Sequence, residues 1–92
     1  MTEKETLMWC IDGGLELTKK LKMQYEKYAA SGATIHKMCS KTGLILNSLD
    51  LSKRFLERDE INKAREQYYQ ASTDIKELAV WVGELIHEGD TI

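Results

Sequence analysis

Ninety-two residues, 42% of them hydrophobic and none of them proline, suffice for one hydrophobic core and are too few for two. Two cysteines cannot frame a disulfide-dense scaffold, and no apolar run approaches the ~20 residues that cross a bilayer. The net charge of −2 is unevenly spread: residues 1–18 carry −3, 19–58 carry +6, 59–66 carry −1 and 67–92 carry −4, a basic middle between acidic ends.

Thr2-Glu3-Lys4-Glu5 has the form of a capping box, with Thr2 as N-cap and Glu5 three residues on. Acids in a first turn also suit the positive end of the helix dipole. This segment is charged and the apolar run Leu7–Ile11 that follows is short, so no signal peptide is expected. The expected setting is therefore cytoplasmic, with Cys10 and Cys39 as buried, reduced thiols. A helical stripe follows through Leu7, Ile11, Thr18, Leu21, Tyr25 and Tyr28, widened by Met8, Leu15 and Leu17. Asp12-Gly13-Gly14 interrupts it, and each interior glycine costs about 1 kcal/mol relative to alanine. Either the helix kinks or breaks there, or a neighbouring helix packs closely over the missing side chains. One helix over about 3–30 is expected.

Ser31-Gly32-Ala33-Thr34 reads as a stop and a restart, glycine past a helix end and then a threonine N-cap. The next stripe is Ile35, Met38, Thr42, Ile45, Leu49, Ser52 and Leu56, with Gly43 off it, and predicts a second helix over about 35–57. The pattern resumes only at Ile61. Asp59 would then be the N-cap of a third helix and Arg58-Asp59 a tight turn; the alternative is that helices two and three are continuous through a phase slip. From Ile61 onward the apolar positions are 61, 64, 68, 71, 75, 78, 82 and 85, alternating steps of three and four. This third helix is expected over about 60–88, with Gly89 in a left-handed cap. Three helices with short connections predict an all-α fold, an elongated up-down-up bundle with coiled-coil-like packing and a net stability of about 5–10 kcal/mol. At that stability a partner or a second copy matters.

No stretch carries a catalytic or nucleotide-binding signature, so no enzyme, cofactor or metal is expected. Glu84-Leu85-Ile86-His87 matches the Glu-x-x-His of di-iron bundles, which need a second such motif and two further inward glutamates. His36 and Cys39 stand at metal-ligand spacing, but further ligands would have to come from Cys10 and His87, on other helices. The lysines and arginines of 19–58 would suit a nucleic-acid-associated regulator only if they converged on one face. The apolar zones are more informative. Leu7-Met8-Trp9-Cys10-Ile11 and Leu78-Ala79-Val80-Trp81-Val82 are apolar around the whole helix, which a small bundle cannot cover on every side. The expected function is therefore protein binding, of chaperone, adaptor or inhibitor type, by burial of apolar helix faces. The anchors would be Trp81, Tyr69, Ile86, Trp9 and Met8, and the partner another protein or a second copy in an antiparallel homodimer. Nucleic acid is the alternative partner, and no membrane is expected.

Overall fold

The computed structural model describes residues 1–28 and 32–90, with side chains through His87. It consists of three helices, α1 (Glu3–Tyr28), α2 (Gly32–Glu57) and α3 (Ile61–Asp90), each packed against the other two. The bundle measures 49 × 23 × 16 Å. Among the described residues there is no strand, and no helix is long and apolar enough to cross a membrane.

The chain reverses twice. Glu3 pairs with Arg65, and Gly14 lies against Ile75, so α1 and α3 advance in step and run parallel. Lys4 meets Asp59 at 2.8 Å while Tyr25 meets Thr42 at 3.2 Å, so α2 runs back along α1. This is the up-down-up three-helix bundle that the periodicity predicts.

Each helix buries the stripe read from its sequence. In α3, Ala64, Ala71, Ile75, Leu78 and Val82 are buried, and Ile61, Tyr68 and Leu85 are packed at the margin of the core. In α2 the buried line is Met38, Thr42, Ile45, Leu49, Ser52 and Leu56. The small pair Ala64 and Ser52 lets α2 and α3 approach until the Ser52 hydroxyl donates to the Ala64 carbonyl at 2.7 Å. In α1 the buried line is Leu7, Ile11, Gly14, Thr18, Leu21 and Tyr25, and the helix is unbroken. Gly14 is therefore a member of the stripe. A Cβ there would meet Leu49 Cδ2 at 3.4 Å and Ile75 Cδ1 at 3.5 Å, ordinary van der Waals contact with both neighbouring helices. The Thr18 hydroxyl returns a hydrogen bond to the Gly14 carbonyl at 2.7 Å.

Helix ends depart from expectation in three places. Thr2 caps α1 as expected, accepting the Glu5 N–H at 3.2 Å. Thr34, expected as an N-cap, lies inside α2, which already begins at Gly32; the expected stop at Ser31 lies outside the described residues. Asp59 is not the N-cap of α3. It holds φ = 59° and closes α2: its N–H donates to the Leu56 carbonyl at 3.0 Å, and the Glu60 N–H donates to the Phe55 carbonyl at 2.9 Å. These two bonds form a Schellman motif with aspartate in the usual glycine position. Glu60 instead starts α3, its carbonyl accepting the Ala64 N–H at 3.0 Å. At the far end α3 continues through Gly89 to Asp90 and does not stop at a glycine cap. Two stripe assignments also shift outward, since Tyr28 and Leu17 are exposed.

The two central glycines should respond oppositely to substitution. Nothing lies within 4 Å of a Cβ at Gly13, so Gly13→Ala should raise the thermal midpoint by about 2–8 °C through helix propensity. Gly14→Leu forces bulk between Leu49 and Ile75 and should lower stability by about 1–3 kcal/mol. Thermal denaturation followed by circular dichroism reads both, and an equal response would refute the placement of Gly14 in the seam.

Candidate docking groove between the first and third helices

The parallel helices α1 and α3 leave an open groove of about 290 Å³ along their shared edge. Its origin is local. Gly13 and Gly14 supply no side chains, and Cys10 and Ser72 supply small ones, so the floor is low. Trp9 and Leu17 stand one helical turn to either side of Gly13, and Tyr68 and Ile75 form the α3 wall, with Lys76 beside them. Trp9 is 72% exposed and Leu17 45% exposed, so the apolar lip is in water rather than in the core.

The α3 wall is held by its own contacts. Tyr68 is half-buried, and its hydroxyl lies near the Cys10 thiol across the groove. Burial first, and the Cys10 thiol second, push the Tyr68 phenol above its ordinary value near 10. Tyr69 packs its ring 6.3 Å from that of Tyr68 and is itself 60% exposed. Tyr25 is raised in the same direction by burial within the α1–α2 seam, where its hydroxyl lies 3.2 Å from the Thr42 hydroxyl and 3.6 Å from the Cys39 thiol.

The opposite edge, between α2 and α3, holds a smaller cleft of about 200 Å³ beside Trp81 and is bridged by ion pairs. Lys41 reaches Asp74 at 3.5 Å and Glu77 at 3.3 Å, with the Lys41 and Asp74 side chains only 15% and 11% exposed. Lys37 lies 4.0 Å and Lys41 5.2 Å from the centre of the Trp81 ring, so two ammonium groups cover that indole by cation–π contact. Of the five expected anchors, Trp9 and Tyr69 are exposed beside the groove. Trp81 sits under its lysines on the far edge, and Met8 and Ile86 pack against the core. Leu17, Gly13 and Tyr68 were not among the expected anchors. Trp9, Gly13 and Leu17 follow one another at intervals of four beside the α1 stripe, and that spacing is the signal that finds the groove.

The chemistry-bearing residues do not assemble. Among the described residues no three His, Cys, Asp or Glu side chains cluster as metal ligands would. Cys39 is exposed and Cys10 half-buried, which corrects the expectation of two buried thiols; both are free. Within the basic middle, Lys19 pairs with Glu16, Lys22 with Glu26 and Arg54 with Asp50, each inside its own helix. No family model, curated protein or solved structure matches the chain.

The raised phenols have a consequence for alkaline stability. An unfolded tyrosine ionises near pH 10, while Tyr25 and Tyr68 resist ionisation in the fold, so the stabilisation they confer is present below pH 10 and lost as pH rises through their folded values. Tyr68→Phe should flatten the fall in thermal midpoint between about pH 9 and 11 relative to the parent chain. An unchanged alkaline slope would show that Tyr68 ionises as it does in the unfolded chain.

Proposed function

We propose that this chain is a protein-binding module that seats an amphipathic helix of another protein in the α1–α3 groove, completing a four-helix arrangement. The observation that carries this reading is Trp9, 72% exposed at the lip of an apolar groove. An exposed indole beside a preformed groove is the kind of residue that dominates interface energetics. Burying an aromatic side chain of about 150–250 Å² at about 25 cal/mol per Å² contributes roughly 4–6 kcal/mol before ordering costs. Two parallel helices with a low floor between them accept a third helix ridge, in the helix-in-groove mode. Lys76 on the α3 wall favours an occupant with an acidic edge.

Chaperone, adaptor and inhibitor roles, and a cytoplasmic setting, all remain compatible with such a surface and belong to this proposal. Nucleic-acid binding has less support. Lys41 is engaged between Asp74 and Glu77, and Lys19, Lys22 and Arg54 have acids beside them.

Site-specific photocrosslinking tests the groove. A benzophenone residue replacing Leu17 should form an adduct in producing cells that one replacing Asn47, on the exposed side of α2, does not form. The adduct should map to an amphipathic segment with acidic residues along one edge. A synthetic peptide of that segment should bind the purified chain, lose at least about tenfold in affinity on Ser72→Arg, and change by less than about threefold between 50 and 500 mM salt. Binding that ignores Ser72→Arg would overturn the groove. A steep salt dependence would favour phosphate contacts and hence the nucleic-acid reading.

A further inference from the structure

The outer face of α1, turned away from both neighbouring helices, carries a second pattern. Glu5, Trp9, Asp12, Glu16, Lys20, Met23 and Lys27 are all exposed and follow one another in steps of three and four. They form one stripe along the helix, roughly opposite the buried line Leu7–Tyr25. Trp9 and Met23 are 72% and 70% exposed, and they stand 14 residues apart, four turns and about 21 Å. The charge along the helix is polarised to match. Residues 3–16 carry four acids and Lys4, whereas 17–28 carry four lysines and Glu26.

We infer that this stripe pairs α1 with α1 of a second copy of the chain, antiparallel, about a two-fold axis beside Glu16. In that register Trp9 of each chain faces Met23 of the other, Glu5 faces Lys27, and Asp12 faces Lys20. All three pairs are complementary, and the two-fold symmetry makes each of them twice. Among the described residues neither Asp12 nor Lys20 has an ion pair within its own chain, so both charges are available to the other copy. Glu16 alone meets its own kind at the axis, and Lys19 at 3.8 Å partly neutralises it. A parallel pairing would instead set acids against acids and lysines against lysines along the whole stripe. Four apolar side chains in one helix–helix contact make a small interface, of the class below about 1,200 Å² that gives weak, concentration-dependent association.

This dimer goes beyond the groove proposed above and uses a different face; Trp9 stands between the two, so the test leaves Trp9 intact. Sedimentation equilibrium of the full chain at low salt, from about 5 µM to about 1 mM, should show the mass rising from 10.6 kDa towards twice that value. Glu5→Lys and Lys27→Glu should each weaken association at least about tenfold, with helicity retained by circular dichroism. Mixed one to one, the two variants should associate again, because each supplies the charges the other lacks. Glu16→Leu should tighten the dimer, since it removes the like-charge contact at the axis. A chain that stays monomeric at 1 mM, or variants that do not rescue each other on mixing, would overturn the dimer. Either result would leave the groove standing, because Lys27 and Glu5 do not line it and Ser72→Arg reports on the groove alone.

Discussion

Gly14, where α1 packs onto Leu49 and Ile75, is the point at which all three helices meet. Leu49 from α2 and Ile75 from α3 converge on the place where its Cβ would stand, both at about 3.5 Å. One position on α1 therefore touches both partners at once. Polar contacts continue along the seams. Tyr25 reaches Thr42 on one side, and Glu3 and Lys4 reach Arg65 and Asp59 at the end where α1 starts beside the α2–α3 turn. The two surface ion pairs contribute little energy, about 0–1 kcal/mol each, so the register rests on the buried stripes.

The same glycine pair makes the molecule unequal around its axis. On the α2–α3 edge, the small residues Ser52 and Ala64 face each other, and Lys37 and Lys41 lie over Trp81 beside a cleft of about 200 Å³. On the α1–α3 edge, Gly13 and Gly14 lower the floor while Trp9 and Leu17 stay above it. The two tryptophans thus end in opposite circumstances, one roofed by cations and one in solvent. The proposed binding at the α1–α3 edge draws on this asymmetry, since an apolar surface left open by the chain's own packing gains most from an occupant.

The fold was legible because helix periodicity survives without tertiary information. The α2 and α3 stripes, read as steps of three and four, are the lines that the helices bury. What the residues did not reveal was decided by backbone geometry and by neighbours. Asp59 looked like an N-cap because aspartate is favoured there, yet the tight reversal after Leu56 needed a residue with positive φ, and Asp59 took the glycine role. Gly14 looked like an interruption because a glycine has no hydropathy to count, although it occupies the next stripe position after Ile11. The phase of α1 was already set by Leu7, Ile11, Thr18, Leu21 and Tyr25; what stayed hidden was that Leu17, read as widening the stripe, stands in solvent at the lip of the groove. Trp81 was as apolar in sequence as Trp9; packing against the core and the placement of Lys37 and Lys41, on another helix, separate the two.

The account turns on Trp9 being uncovered by its own chain, and acrylamide quenching of tryptophan fluorescence measures that directly. In a Trp81→Phe variant at about 1 µM, Trp9 is the only indole; its emission should lie near that of a tryptophan in water and be quenched almost as strongly as a free indole. In the reciprocal Trp9→Phe variant, Trp81 under its two lysines should be distinctly better protected. A blue-shifted, poorly quenched Trp9 in the dilute chain would mean that the molecule already covers it, and the groove and the dimer face would both lose their anchor.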